Sequence, residues 1–210
     1  MIIPVLCNDI WHPGEVVKKG LSSLESSDIR FEYIEDAADF SPDIFKGSKL
    51  VILSKENNVN AENEAPWMTD EIQDMFKDFV DKGGSLLVIH SGTADYEEQW
   101  TLRRLLGGVF DHHPEQCPVT AKMDPDHFMT QGCSDFTVMD EHYFMDMNDD
   151  SIECFMTTHS DHGSQPAGWI KRSGLGKVCV ITPGHNLEVW LEPSFQRLLR
   201  NAVDWCLQSD

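Results

Sequence analysis

Apolar and polar residues follow two rhythms in the first half of the chain, and their alternation predicts the fold. Ile2–Leu6 is a short apolar run of strand length, and Leu50–Leu53 and Ser85–Ile89 are two more. Runs of this length bounded by turn residues read as strands covered on both faces. Ile29–Ile34 alternates in polarity, as a more exposed strand would. Between these runs the period lengthens. Gly14–Leu24 places Val16, Val17, Leu21 and Leu24 on one helical face. Thr69 is the expected N-cap of a second helix, with Asp70 and Glu71 in its first turn and Ile72, Met75, Phe76, Phe79 and Val80 turned inward. Glu56–Ala65, polar and Asn-rich, reads as a surface loop. The resulting β-α-β-α-β order predicts an α/β fold: a doubly wound, mostly parallel sheet flanked by helices, with right-handed crossovers.

The second half has a different texture. A short helix is expected between Trp100 and Gly108, then short strands and turns rich in Met, Asp and Phe from Pro118 to Glu153. Glu153–Thr158, Gly168–Lys171 and Lys177–Thr182 read as three strands, the last two joined through Ser173-Gly174-Leu175-Gly176. A closing helix carries Phe195, Leu198, Leu199, Ala202, Val203 and Cys206 on its inner face. No repeat or low-complexity linker divides the chain, so residues 1–210 are read as a single domain.

Composition narrows the partners. A formal charge of −20 argues against nucleic acid, whose binding depends on Lys and Arg neutralising phosphates, and against anionic membrane surfaces. No apolar stretch approaches the roughly 20 residues of a spanning helix, and the amino terminus lacks a signal-peptide pattern. A cytoplasmic location is expected. Cys7, Cys117, Cys133, Cys154, Cys179 and Cys206 contain no CxxC pair and fit reduced thiols. Exposed edges and aromatic content allow a homo-oligomer.

The candidate chemistry gathers at strand ends. Ser85–Ile89 stops abruptly at His90-Ser91-Gly92-Thr93, and the carboxyl ends of parallel strands are where open α/β sheets bind ligands. His12 follows the first strand and His185 follows Lys177–Thr182, so a parallel sheet would bring these loops to one edge. His113 and the segment Asp140-Glu141-His142-Tyr143 could fold over that edge. Imidazoles and carboxylates so placed suit acid–base work near neutral pH, or a divalent metal such as zinc. The catalytic candidates are therefore His90, Ser91, His185 and Glu141, and the metal-ligand candidates are His12, His90, His113 and His185. Trp11, Tyr143 and Trp190 are the aromatic candidates for a sugar face. His159-Ser160-Asp161-His162-Gly163 looks metal-like in composition but lies in a polar loop. No GxGxxG or GxxxxGK[ST] supports nucleotide binding.

Several of these stretches carry a family likeness. Gly83–Thr93 resembles the Gly-Gly-Gly-hydrophobic-Ile-His-Ser signature of the ThuA-like (trehalose utilisation) proteins. Asn8–Pro13 is similar to their first loop, and Phe110–Pro114 with His127–Tyr143 to the segment leading into an Asp-Glu-x-Tyr motif. Gly174–Trp205 resembles their Gly-x-Gly-x-Val…Pro-Gly-His…Trp…Asn-Ala-Val-x-Trp ending. Here His142 occupies the variable position of Asp-Glu-x-Tyr. The resemblance implies a class I glutamine-amidotransferase-like fold of the flavodoxin-like type, and a link to disaccharide utilisation rather than a defined reaction.

Glutamine-hydrolysing relatives of that fold need a cysteine at the turn that here reads His90-Ser91-Gly92, so glutaminase activity is not expected. Ser91 could act as nucleophile with His185 as base and Glu188 as orienter, but Ile89 stands where a GxSxG elbow needs glycine. Two readings follow. One is an enzyme, a hydrolase or isomerase acting on a small carbohydrate through a His-centred site. The other is a non-catalytic sugar-binding or regulatory protein on an amidotransferase-like scaffold.

Overall fold

In the computed structural model, which describes residues 1–208, the first four strand-like runs become β1 (Ile2–Cys7), β2 (Arg30–Ile34), β3 (Leu50–Ser54) and β4 (Ser85–Ile89). Every residue of β3 and β4 is buried, whereas β2 is only partly covered. Helix α1 (Gly14–Leu21) links β1 to β2 and ends one turn early, where Ser22–Leu24 tightens into a 3-10 turn. Helix α2 (Asp70–Asp81) links β3 to β4, and the Thr69 hydroxyl accepts a hydrogen bond from the amide of Ile72 at 3.3 Å. That cap satisfies one of the amides left over at a helix start. Phe76, Phe79 and Val80 are buried beneath α2 as its spacing predicts, with Ile72 and Met75 half-buried beside them.

The chain continues through α3 (Trp100–Leu106), β5 (Gly108–His112), β6 (Cys117–Met123), β7 (Phe136–Asp140), β8 (Phe144–Met147), β9 (Glu153–Ser160), β10 (Gly163–Ser173) and β11 (Gly176–Ile181). Helices α4 (Leu187–Leu191) and α5 (Pro193–Leu207) complete it. Strands β5 and β8 form a separate pair, and the main sheet has nine strands in the order β2-β1-β3-β4-β11-β10-β9-β6-β7. The five strands from β2 to β11 are parallel. The four pairings from β11 to β7 are antiparallel. A mostly parallel sheet is thus corrected to a mixed one. Tight turns join β9 to β10 and β10 to β11, and such turns permit only antiparallel neighbours.

Both faces of the parallel half are covered. Ile3, Val5, Leu50, Ile52, Leu87 and Ile89 pack on one side with α1 and α5, while Leu6, Val51, Leu53, Leu86 and Val88 pack on the other with α2 and α3. The strand order reverses at β1, since β2 lies on one side of it and β3 on the other. A reversal of this kind opens a crevice at the carboxyl ends of the strands.

The antiparallel half curls back toward that crevice. Strand β7 is four places from β11, about 19 Å along a flat sheet, yet the Asp140 carboxylate at its end accepts hydrogen bonds from the amides of Gly184 and His185, both at 3.0 Å. The Glu56–Ala65 loop also departs from expectation: its first residues Glu56, Asn57 and Asn58 are buried, not on the surface. Asn57 accepts from the amides of Trp67 and Met68, which ties the loop to the start of α2. No helix among the described residues is long and apolar enough to cross a membrane.

Candidate functional site

Three loops meet above the parallel strands, and each is fixed by its own backbone chemistry. After β1, Asn8 takes a positive φ of 71° and Asp9 turns its carboxylate inward. Asp9 Oδ1 accepts from the amides of Trp11 (3.0 Å) and His12 (2.8 Å) and lies 2.6 Å from His12 Nδ1. After β4 the backbone bends sharply at His90, whose φ is 48°. The bend is held by Gly92, where a Cβ would stand 2.2 Å from the carbonyl oxygen of Leu53, so only glycine fits. His90 Nδ1 reaches the carbonyl of Thr182 at 2.8 Å. After β11, Gly184 (φ 149°) brings His185 over His90, and Asp140 holds both of their amides, as described. Positive φ in residues other than glycine is confined to Asn8, His90 and Asp95 among the described residues. Such backbone strain clusters at functional sites.

The side chains converge on one oxygen. Glu141 Oε2 lies 3.1 Å from His185 Nδ1, 3.4 Å from His90 Nε2 and 3.9 Å from His12 Nε2. All four ligand atoms fall within 4.8 Å of one another. None of the three nitrogens makes a hydrogen bond, although all are buried. An unmatched buried polar atom costs about 1–3 kcal/mol, so three around one carboxylate call for a partner. A cation about 2.0–2.2 Å from each ligand would space neighbouring ligands about 3–3.5 Å apart. Glu141 stands at that spacing from His185 and His90, and slightly farther, 3.9 Å, from His12. Two of the rings are already oriented for it. His12 Nδ1 is tied to Asp9 and His90 Nδ1 to Thr182, leaving each Nε2 to face the centre. Metal-bound histidines commonly use their second nitrogen in this way.

Electrostatics fit the same reading. Burial depresses the His90 pKa and keeps its ring neutral. Burial disfavours charge on His12 too, but its contacts with Asp9 and Glu141 outweigh that and raise it to about 9. Burial also opposes ionisation of Glu141, and the surrounding imidazoles of His12, His185 and His90 overcome it, holding the carboxyl far below its usual range. Glu56 is raised to about 7 by burial and by the charge on Asp9.

A cavity of about 470 Å³ opens over this cluster, lined by Trp11, His12, Glu56, Asp95, Tyr143 and His185 among others. Tyr143 stacks on His90 at 4.1 Å and meets Phe110 at 4.2 Å, forming an aromatic wall. Trp11 stands at the mouth, 68% exposed. A cavity of similar size, bounded by Phe45, Met75 and Phe79, lies beside Gly83-Gly84 at the amino end of β4, away from the histidines.

The residues singled out in the sequence separate here. His12, His90 and His185 come together with Glu141. His113 is displaced from the expected ligand set: its Nε2 lies 3.6 Å from Glu141 Oε1, the oxygen turned away from the other rings. Ser91 is fully buried and does not line the cavity, so it lacks the access a nucleophile needs. Glu188 is exposed on α4, and the carboxylate beside His185 is Glu141 instead. Trp190 is corrected from a sugar contact to a core residue. It is 1% exposed, and its indole donates to the carbonyl of Gly184 at 2.7 Å, supporting the turn before His185. Ser160 to Gly163 form the turn from β9 to β10, and the Ser160 hydroxyl lies 2.7 Å from His142 Nδ1.

The family model described as "ThuA: Trehalose utilisation" matches residues 10–206. The chain belongs to that family. No curated protein matched the sequence. Among solved structures, a ThuA-like protein from Bacteroides uniformis is 18% identical with a TM-score of 0.74, covering 100% of this chain and 92% of its own. A protein from Salmonella typhimurium described as cytoplasmic is 16% identical with a TM-score of 0.69, covering 98% and 97%. A GH42 beta-galactosidase from G. stearothermophilus is 13% identical with a TM-score of 0.62, and the match spans 96% of this chain but 30% of that enzyme. At these identities the likeness concerns the fold.

In this ThuA-family chain the supporting carboxylates of Asp9, Glu56 and Asp95 lie in polar loop segments that give no sign of a role in the sequence. Asp140, the last residue of β7, belongs instead to the Asp140-Glu141-His142-Tyr143 segment expected at this edge. Only the proximity of Asp9 to His12, three residues apart, hinted at a histidine–carboxylate pair.

Proposed function

We propose that this ThuA-family protein binds a divalent transition metal through His12, His90, His185 and Glu141, and acts there on a small carbohydrate or sugar derivative. The observation carrying this reading is the trio of buried imidazole nitrogens, unmatched by hydrogen bonds, around one oxygen of Glu141. Three imidazoles and a carboxylate suit zinc and its neighbours in the first transition series. A metal held by these residues would supply Lewis-acid chemistry toward a sugar carbonyl, hydroxyl or water. The chain's own groups do the rest. Asp9 and the Thr182 carbonyl orient the rings, and Tyr143 and Trp11 offer aromatic faces to a sugar ring. Glu56 and His113 line the cavity, and the Glu56 pKa of about 7 suits proton transfer near neutrality.

Glutaminase chemistry has no place in this reading, because His90 occupies the bend where those enzymes need cysteine. The parallel half is read as a doubly wound, flavodoxin-like unit, supported by the strand order β2-β1-β3-β4-β11 with helices on both faces. A cytoplasmic location is supported by six unpaired cysteines and by the description of the Salmonella neighbour.

The test is a panel of disaccharides and their oxidised derivatives, assayed for binding and turnover with metal-loaded and metal-stripped protein. Turnover that requires metal supports an enzyme. Binding without turnover favours the non-catalytic sugar-binding reading, and the absence of both overturns the carbohydrate assignment.

A further inference from the structure

The cavity is lined by the carboxylates of Glu56, Asp95 and Glu141, and among the described residues no lysine or arginine lines it. Sites that hold phosphate or carboxylate groups ordinarily present arginine, lysine or a helix amino terminus to them. Lys55 is the nearest in sequence to offer such a charge, but it is buried and its ammonium donates to the carbonyl of Asn8 at 2.6 Å. It braces the β1 loop instead of facing a ligand.

A bound cation does not reverse this sign. Its two charges would be met by Glu141 beside it and by Asp9 behind His12, so the other carboxylates lining the cavity set the local field. Those are Glu56, buried in the wall beside Asp9 and His12, and Asp95, exposed at the rim. Asp95 is held on the rim in the left-handed region, φ 60°, a conformation uncommon for residues other than glycine. Carboxylates so placed accept hydrogen bonds from hydroxyls and repel anions.

We propose that Glu56 and Asp95 are specificity-determining residues, which admit uncharged sugar derivatives and exclude phosphorylated or carboxylated ones. This rests on the carbohydrate reading above, so the test has one arm that needs no sugar. At pH 8, the fluorescence contributed by Trp11 is isolated by difference from Trp11→Phe and quenched with iodide or caesium. Caesium is expected to quench it several-fold better than iodide. The double variant Glu56→Gln/Asp95→Asn is expected to shrink that ratio by about threefold or more, as removal of a local field should. Asp28→Asn/Glu32→Gln, which removes equal charge from exposed positions on or beside β2, is expected to leave it nearly unchanged. Equal quenching by both ions in the wild type, or equal effects of the two double variants, overturns the proposal.

The second arm titrates trehalose and trehalose 6-phosphate into metal-loaded protein by calorimetry. The phosphate is expected to bind at least about tenfold more weakly, with the gap narrowing in Glu56→Gln/Asp95→Asn. Binding of the phosphate as tight as that of the neutral sugar overturns the proposal. If neither sugar binds, the carbohydrate reading fails for this sugar and the quenching arm alone decides the proposal.

Discussion

Asp9 Oδ1 lies 2.6 Å from His12 Nδ1, and that contact turns the opposite nitrogen of the ring toward Glu141. The same oxygen accepts the amides of Trp11 and His12, and its partner Oδ2 accepts the amide of Glu56 at 3.2 Å. One carboxylate therefore joins the loop after β1 to the loop after β3 and sets the pose of a ligand ring. Asp9→Asn keeps the size and loses the charge. The variant should fold, by circular dichroism, and bind metal about 10–100-fold more weakly in competition with a chelating dye.

The same pair makes metal binding depend on pH. His12 holds its proton to about pH 9 in the metal-free protein, and that proton must leave before Nε2 can coordinate. Affinity should rise about tenfold per pH unit through neutrality, with one proton released per metal, read by calorimetry in buffers of different ionisation enthalpy. The folded pKa of His12 lies above its unfolded value of 6.5. The stability it contributes is therefore complete below about 6.5 and lost as pH rises through about 9. Metal-loaded protein is spared that loss, so the gain in Tm on adding metal should widen over this window.

Glu56 behaves in the opposite sense. Its folded pKa of about 7 exceeds the ordinary 4.5 because burial and the Asp9 charge disfavour ionisation. The folded state then binds the proton more tightly than the unfolded chain, so this group costs stability as pH rises from about 4.5 to about 7. Glu56→Gln should melt above the wild type at pH 8 and approach it near pH 4, measured by thermal denaturation across the range.

Two tryptophans should respond differently. Trp190→Phe removes the hydrogen bond to Gly184 in the core and should cost about 1–3 kcal/mol of stability in urea unfolding. Trp11→Ala changes an exposed residue at the cavity mouth. It should leave stability almost unaltered and weaken binding of any sugar that the screen identifies.

The parallel half of the fold was legible because its signals are local. Apolar runs and a Thr69 cap are each readable within a dozen residues, and they place His12, His90 and His185 at one sheet edge. The antiparallel half was legible as strands but not as a layout, since the curl that returns Asp140 to Gly184 depends on contacts 44 and 45 residues apart. That curl is what seats Glu141 among the histidines and leaves His113 outside them. Trp190 was misread because a tryptophan after Gly184-His185 looks alike in sequence whether it faces a cavity or the core. Asp9 and Glu56 went unseen for a similar reason, as buried carboxylates in polar loops carry no periodicity.

The central claim is a metal centre built from His12, His90, His185 and Glu141, and elemental analysis of the purified protein after incubation with excess divalent metal and desalting tests it most directly. The wild type should retain close to one divalent transition-metal ion per chain, and His90→Ala/His185→Ala should retain almost none while keeping its circular dichroism spectrum. Metal absent from the wild type, or equal retention by the double variant, would contradict it.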